Sequence, residues 1–325
     1  MLPMTVQAQQ VADPQGVSNA PGQSVAVIGI GQMGLAMALR LHDCGHPVRV
    51  HDVATERCIL AAQAGLTVCT DAAHAAQGCT ALIVAVVDAA QTATVLFGEA
   101  DTADGMKAGA AATLAPGSAV FLCPTIGPGQ TEALAARLHA LGLQALDAPM
   151  SGGPQRARQG CMSLMVACAD DVWLRWQPLL RQMANPVFHV GRTAGDGART
   201  KLVNNLLAAI NLAGACEALA LAEKLGLDAA TMLQVMAASS GQSWIGSDRL
   251  QRALAGDLVV RAQTALLAKD STLALQTAHQ AGVQPQLGAL AQALFAQACA
   301  AGFSAQDDAA LLDWMREVGL RTRDP

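Results

Sequence analysis

One stretch near the start of the chain constrains the fold more than any other. Residues 24–30 read SVAVIGI, a short β-branched apolar run that suits a buried parallel strand. The run passes directly into a glycine turn at 29–34, then into the helical pattern LAMALRLHDCG and a second strand, PVRVHD. Strand, glycine turn, helix and strand in this order predict the beginning of a doubly wound α/β sheet.

The glycine turn has the spacing G-x-G-x-x-G, which is typical of loops that hold a dinucleotide pyrophosphate. Gly29 would allow the tight turn, Gly31 would let the backbone approach a phosphate, and Gly34 would let the helix pack closely on the strand. Amides at the start of the helix would then face the phosphates. A glycine turn without a ligand is the alternative. We predict cofactor contacts along the whole loop, which consists of Gly29, Ile30, Gly31, Gln32, Met33 and Gly34.

Asp52 closes the second predicted strand. A carboxylate at this place accepts hydrogen bonds from the ribose hydroxyls of an adenosine and repels a 2′-phosphate, which predicts NAD as the cofactor. Arg57 lies close by and would weaken that preference, so NADP stays open. Asp52 could also be the N-cap of the helix that begins ATERC, and the two roles are compatible.

Further strands are predicted at 80–88, 117–125, 143–150 and 163–169, with helical stretches between most of them. Glycine and proline cluster where two of these strands end, in PTIGPG and in APMSGGP. In open α/β sheets the ligand binds beyond the carboxyl ends of the strands. Both loops are therefore expected near the cofactor.

From about Gly197 onward the periodicity is helical, beginning with a helix that would end near Leu225 after roughly 40 Å. This helix is apolar almost all the way round, yet Lys201, Asn204 and Asn205 fall on one stripe. Lys201 could extend along an apolar surface to reach water. We favour a proton-transfer lysine with Asn205 as its companion, because the first half predicts a nicotinamide cofactor, and we assign Asn204 to helix packing or to support of the site.

The composition excludes several classes of function. With 52% hydrophobic and 14% charged residues over 325 positions, the chain suits a well-buried protein of two domains. A net charge of −5 argues against a nucleic-acid partner. Nine scattered cysteines without a C-x-x-C pair indicate reduced thiols in the cytoplasm, and no metal-ligand spacing is found among the histidines. The polar segment 1–22 is interpreted as a flexible leader, neither signal peptide nor membrane anchor.

Four ordered blocks resemble the β-hydroxyacid dehydrogenases: GIGQMGLAMA, DAPMSGGPQRARQGCMSLMV, GDGARTKLVNN and LLAKD with its following helix. The likeness runs from about residue 24 to about residue 320. It implies a Rossmann-type doubly wound parallel sheet over 23–194, followed by an all-α domain over 195–325 that binds substrate and dimerises. A long interdomain helix would join the two, and the protein would form a dimer or a tetramer.

The resemblance also implies roles for individual residues. Lys201 would be catalytic with Asn205 beside it, and Lys269 would contact cofactor or substrate unless it only forms an ion pair with Asp270. The remaining contacts implied are Ser151, Gly152 and Gly153 for the substrate carboxylate, Thr125 for cofactor or substrate, and Val87 and Asp88 beside the nicotinamide. These glycines offer unhindered backbone amides, which suits a carboxylate.

Within the family, the pattern is most similar to members that oxidise L-threonate, as seen in VVDAAQTATVLFGE, GQSW and GFSAQDDAALL. Dehydrogenation of 3-hydroxyisobutyrate and reduction of tartronate semialdehyde are the enzymatic alternatives. A non-catalytic dinucleotide-binding module would be expected to lack Lys201, so that hypothesis is weaker.

Six further positions leave questions open. Cys123 and Pro124 replace hydroxyl residues that are common in the family, which removes a hydroxyl and an amide donor from that loop. Arg156 and Arg158 could contact substrate or could be solvated loop residues. Asp307 and Asp308 follow Ser304 at a spacing like that of a capping box and are predicted to start a helix.

Overall fold

The computed structural model describes residues 22–99, 107–257 and 259–319, so the predicted leader at 1–22 lies almost wholly outside the described residues. The described chain begins with a sheet flanked by helices and continues as a cluster of helices. The sheet ends with Gly191 and the first helix of the cluster begins with Asp196. The predicted boundary between 194 and 195 falls in this short connection.

The main sheet has the strand order β11-β10-β8-β7-β4-β1-β2-β3, with β9 paired to β10. Six of its strands, from β3 to β8 in that order, are parallel. The strands are β1 Val25–Ile28, β2 Val48–His51, β3 Thr67–Val68, β4 Ala81–Val84, β7 Ala119–Leu122, β8 Gln144–Asp147, β9 Met150–Ser151, β10 Ser163–Ala167 and β11 Val187–Gly191; β5 Gly98–Glu99 and β6 Lys107–Ala108 pair separately. The predicted Rossmann-type sheet is confirmed.

The edge formed by β10 and β11 departs from the parallel pattern. β10 runs antiparallel to β8 and to β9, and β11 runs parallel to β10. Parallel neighbours are usually connected by a full crossover helix, but the chain between β8 and β10 is taken up by β9 and a short helix. Strands β3, β9 and β11 were not foreseen in the sequence, and the predicted strands are shorter in the structure.

The helices cover both faces of the sheet and form the second half of the chain. Along β1, Val25 and Val27 pack into one apolar core while Ala26 and Ile28 pack into the other. The helices are α1 Gln32–Asp43, α2 Thr55–Gln63, α3 Ala72–Ala76, α4 Ala89–Phe97, α5 Pro128–Ala140, α6 Gly153–Arg158, α7 Asp170–Met183, α8 Asp196–Lys224, α9 Ala229–Ala238, α10 Trp244–Leu254, α11 Thr264–Gln280, α12 Gln286–Ala298 and α13 Leu311–Trp314. A third core lies among the helices from α8 onward.

Helix α8 links the two halves, as the sequence predicts. Its 29 residues span about 43 Å at the usual helical rise. By length and composition alone it could cross a membrane, but half of its apolar window is buried and it packs against the sheet and the later helices. These contacts are those of the core helix of a soluble protein.

Asp147 fixes the start of α8 against the sheet. This residue ends β8, is buried, and accepts hydrogen bonds at Oδ2 from the amides of Gly195 (2.8 Å) and Ala198 (3.0 Å). A Cβ on Gly197 would lie 2.8 Å from the Asp147 carboxylate, so glycine is required there. Burial raises the pKa of Asp147 to about 6, although the amide hydrogen bonds oppose this shift.

We predict that Asp147→Ala lowers the free energy of unfolding by about 2 kcal/mol, because buried helix amides lose their acceptor. Equilibrium urea unfolding measures the change. The control is Asp171→Ala, in the exposed first turn of α7, which should cost about 0.5 kcal/mol or less. Equal losses in the two variants would contradict the anchoring role.

Candidate active site

A cleft of about 790 Å³ lies between the carboxyl ends of the central strands and the helices α8, α10 and α11. The strand order reverses between β1 and β4, which is the point where open α/β sheets bind their ligands. The sequence-predicted residues that line this cleft are Gly31, Gln32, Met33, Val87, Thr125, Ser151, Gly152, Gly153, Lys201, Asn205 and Lys269. Residues that are far apart in the chain therefore share one cavity.

The glycine loop has the geometry that a pyrophosphate requires. Gly29 adopts φ +84°, and a Cβ on it would lie 2.8 Å from Val86. A Cβ on Gly34 would overlap the carbonyl oxygen of Gly29, so only glycine lets α1 approach β1 this closely. At Gly31 the space is open to 4 Å, which leaves room for a phosphate beside the α1 N-terminus. These residues fit a dinucleotide.

Asp52 supports this loop from the end of β2. Its Oδ2 accepts a hydrogen bond from the Ile30 amide (2.7 Å) and its Oδ1 accepts one from Ala54 (2.9 Å). Ala54, not Asp52, is the N-cap residue of α2. The Ile30 side chain is buried in the core, so Ile30 shapes the loop without lining the cleft. Arg57 does line the cleft, and its guanidinium has no partner among the described residues.

Val87 and Asp88 occupy different environments at the end of β4. Val87 is half exposed and lines the cleft. The carboxylate of Asp88 instead accepts a hydrogen bond from the Gln91 amide (2.8 Å) and caps α4. Asp88 does not line the cleft, so its position favours a role as the N-cap of α4 over a contact with the cofactor.

The second glycine loop forms another wall of the cleft. Gly152 and Gly153 adopt φ +117° and +79°, values that favour glycine. A Cβ on Gly153 would meet no atom within 4 Å, so its backbone is open to a ligand. The geometry is compatible with a small anion bound to main-chain amides.

Lys201 is buried at the centre of the cleft, with 7% of its surface exposed. Burial lowers the pKa of its amine to about 8, against the opposing effect of the Asp270 carboxylate, and the positive charge of Lys269 lowers it further. This burial argues against the alternative in which Lys201 extends along an apolar surface to water. An amine of this pKa can exchange a proton near neutral pH.

Three side chains near Lys201, those of Asn205, Asp270 and Lys269, form a chain of polar contacts from α8 to α11. Asn205 Nδ2 donates a hydrogen bond to Asp270 Oδ2 (2.7 Å), and Asp270 Oδ1 lies 3.1 Å from Lys269 Nζ. Lys269 Nζ also donates to the carbonyl oxygens of Thr125 (2.6 Å) and Val87 (3.3 Å). The ion pair considered from the sequence is present within α11, and the Lys269 hydrogen bonds to the two carbonyls join α11 to the loops after β4 and β7.

The structure decides between the alternatives for three residues. Asn204 is exposed, lines the cleft and donates a hydrogen bond to Asn205 Oδ1 (3.3 Å), which fits support of the site and not helix packing. Arg156 donates two hydrogen bonds to the Cys161 carbonyl, at 2.9 and 2.7 Å. Arg158 forms an ion pair with Asp43. Neither arginine lines the cleft, and both are engaged rather than freely solvated.

A second polar group in the cleft contains residues that sequence reasoning did not connect with the site. Trp244 and Arg249 on α10 line it together with Asp308, and Arg249 Nε donates to Asp308 Oδ1 at 2.6 Å. Asp307 caps the short helix that follows it, as predicted, but Asp308 is buried beneath Arg249. The pairing joins residues that are 59 positions apart, which no local spacing reveals.

Comparison with known proteins identifies both halves of the chain. Residues 24–191 match the family model described as the NAD binding domain of 6-phosphogluconate dehydrogenase. Residues 195–315 match the model described as NAD-binding of NADP-dependent 3-hydroxyisobutyrate dehydrogenase. An L-threonate dehydrogenase from Cupriavidus necator is 34% identical over 290 residues, which are 89% of this chain and 95% of that protein.

Solved structures agree with these matches. A 3-hydroxyisobutyrate dehydrogenase from Salmonella typhimurium is 32% identical, with a TM-score of 0.82 over 90% of this chain and 99% of that one. Psf3 in complex with NADP+ and 2-OPP is 27% identical, with a TM-score of 0.81 over 90% of this chain and 99% of that one. The chain therefore belongs to the β-hydroxyacid dehydrogenase family and is an NAD(P)-dependent hydroxyacid dehydrogenase.

Proposed function

We propose that this dehydrogenase oxidises a short-chain hydroxy acid of the L-threonate type, with Lys201 as the general base. The observation that carries the proposal is the buried Lys201 amine, with its pKa lowered to about 8, in the same cleft as both glycine loops. The resemblance to L-threonate dehydrogenases supports the substrate class. 3-Hydroxyisobutyrate and tartronate semialdehyde are the alternative substrates, the first being supported by the Salmonella structure.

The cofactor would be held at its pyrophosphate by Gly31, Gln32 and Met33. Its ribose would be held by Asp52, behind the glycine loop at the end of β2. When bound, the nicotinamide supplies the hydride acceptor. Asp52 already accepts two amide hydrogen bonds, but a carboxylate has further lone pairs for ribose hydroxyls. Because this carboxylate would repel a 2′-phosphate, NAD is the proposed preference.

The protein's own groups would perform the proton transfer. In oxidation, the neutral Lys201 amine takes the proton from the oxygen of the substrate hydroxyl, and hydride leaves the carbon that bears this hydroxyl. In reduction, the Lys201 ammonium returns that proton and stabilises the developing alkoxide. Asn205 is oriented by Asp270 and would hold the substrate hydroxyl without adding charge. Ser151, Gly152 and Gly153 would bind the carboxylate.

The proposal includes a homodimer or tetramer in the cytoplasm. Large apolar side chains are exposed on the outer faces of α8 and α12, among them Val203 (72%), Leu287 (65%) and Leu290 (64%). Such exposure is typical of surfaces that a second copy covers. The cysteines in the described residues are free thiols, consistent with a reducing compartment.

Lys201→Met should lower kcat for L-threonate by about 10²- to 10⁴-fold, because the variant keeps the side-chain length but has no group to accept the proton. Steady-state NAD reduction measures kcat. Lys224→Met, at the exposed end of the same helix, is the control and should keep its rate. A Lys201→Met enzyme with normal kcat would overturn the mechanism, and turnover of 3-hydroxyisobutyrate with inert L-threonate would overturn the substrate class.

The pH profile should identify the base. In oxidation, kcat/KM is expected to rise with pH and level off with a midpoint near 8, because only the neutral amine is active. Asp270→Asn should move the midpoint to lower pH, since it removes the charge that raises the Lys201 pKa and keeps an acceptor for Asn205. Lys269→Met should move it to higher pH. Unchanged midpoints in both variants would contradict Lys201 as the titrating group.

Cofactor choice should depend on the residues at the end of β2. Asp52→Ala is expected to raise the ratio of NADP to NAD affinity by about tenfold or more, because it removes the repulsion of a 2′-phosphate. Arg57→Ala should weaken NADP and leave NAD unchanged. Titration of intrinsic tryptophan fluorescence measures both dissociation constants. A parallel loss of both cofactors in Asp52→Ala would mean that Asp52 only supports the glycine loop.

A further inference from the structure

The cleft contains a second polar group that the proton-transfer chemistry does not use. It consists of Asn211 on α8, Trp244 and Arg249 on α10, and Asp308, all of which line the cleft. Asn211 lies ten positions beyond Lys201, or about 15 Å along the helix, on the stripe of α8 that contains Asn204. The group therefore faces substrate atoms remote from the reacting carbon, and we call it the distal subsite.

Close packing of two helices brings these residues together. A Cβ on Gly246 would lie 2.9 Å from Ala215 Cβ, so α10 approaches α8 as closely as glycine allows. Gly246 lies between Trp244 and Arg249, and Asn211 is one turn before Ala215. The contact holds the α10 residues beside Asn211.

Arg249 is fixed in the wall of the cleft but retains donors. Its Nε and Nη2 donate to the two oxygens of Asp308, at 2.6 and 3.2 Å, and its Nη1 donates to Asp248 at 2.6 Å. A guanidinium has five N–H groups, so two have no partner among the described residues. The Trp244 ring centroid lies 5.8 Å from the guanidinium carbon, and 48% of Trp244 is exposed. The side-chain amide of Asn211 also makes no hydrogen bond within the described chain.

The pairing of Arg249 favours a neutral ligand. Arg249 and Arg252 contact three carboxylates, those of Asp248, Asp307 and Asp308. The net charge of about −1 on this cluster is offset by the Arg156 guanidinium, whose carbon lies 6.0 Å from the Trp244 ring. A second carboxylate on the substrate would meet an arginine already compensated by Asp248 and Asp308, whereas hydroxyl groups could accept from Arg249 and exchange hydrogen bonds with Asn211.

We propose that the distal subsite binds the hydroxylated, uncharged tail of a sugar acid, and that Arg249 and Asn211 select substrates whose chain extends along α8 beyond the reacting carbon. This inference rests on the proposed function and adds the chemistry of the tail. Trp244 supplies the apolar wall against which the C–H face of a polyol packs. Chains of four and five carbons reach further into this part of the cleft than glycerate does.

The test compares kcat/KM among acids that differ in their tails. The substrates are glycerate, L-threonate, five-carbon aldonates with the L-threonate configuration at carbons 2 and 3, and the five-carbon diacids of the same configuration. We expect L-threonate and at least one five-carbon aldonate to exceed glycerate by about tenfold or more, because the site's polar groups are left unpaired by the shorter acid. The diacids should fall about tenfold below the matching aldonates.

Two variants test the residues. Asn211→Leu and Arg249→Met should each lower kcat/KM for the longer acids by about tenfold, mainly through KM, and change glycerate by less than about twofold. Arg192→Met, in an exposed ion pair with Asp170, is the matched arginine control and should change neither. Because Arg249→Met leaves Asp308 without its partner, Asn211→Leu keeps the test decisive if the arginine variant fails to fold.

The outcomes separate the two proposals. Equal losses for glycerate and for the longer acids in Asn211→Leu would overturn the distal subsite, as would diacids that match the aldonates. In both cases the hydroxyacid activity and the role of Lys201 would stand. If the wild-type enzyme oxidises none of the acids, the proposed substrate class and the distal subsite both fail.

Discussion

Removal of the Lys201 ammonium from water is the constraint on which the site depends. Water stabilises a charged amine, so burial between α8 and the cleft walls favours its neutral form and lowers its pKa to about 8. Asp270 opposes the shift and Lys269 reinforces it, so the surrounding charges adjust a value that burial sets. The rest of the molecule maintains this burial: Asp147 fixes the start of α8, and Lys269 joins α11 to the loops of the sheet.

The same helix serves both halves of the protein. Its first turn is anchored to β8, its second and third turns carry Lys201 and Asn205, and its later turns line the distal subsite. A small movement of α8 would therefore change the distance between the amine and the glycine loop and the size of the cleft together. Asp147 therefore contributes to the site indirectly, by holding the first turn of the helix that carries Lys201.

Local sequence predicted the parts of the fold that depend on local chemistry. The glycine turn, α1 and β2 follow from spacing, because Gly29 is favoured by its own φ of +84° and Gly34 is required by its contact with Gly29, five positions earlier. The antiparallel pairing of β10 was not predictable, because the direction of this strand depends on the path that residues 148–162 take between β8 and β10. The exposure of Asn204 was also not predictable. Helical spacing predicts that side chains point in the same direction, but it does not predict which of them a neighbouring element covers.

Site residues divide in the same way. Lys201, Asn205 and the two glycine loops were found from motif and resemblance, and the structure brings them into one cleft, where their catalytic and binding roles stay proposals. Arg249 was not predicted as a site residue, because its position in the cleft depends on its ion pair with Asp308, and only tertiary packing brings these two residues together.

The pKa of the Lys201 amine is the most direct test of the account. It can be measured by competitive acylation of the enzyme over a range of pH, with the extent of labelling at Lys201 and at the exposed Lys224 read by mass spectrometry in the same digest. A labelling midpoint near 8 is expected for Lys201. A Lys201 midpoint of about 10.4, the value of a lysine in water, would contradict the central role of burial.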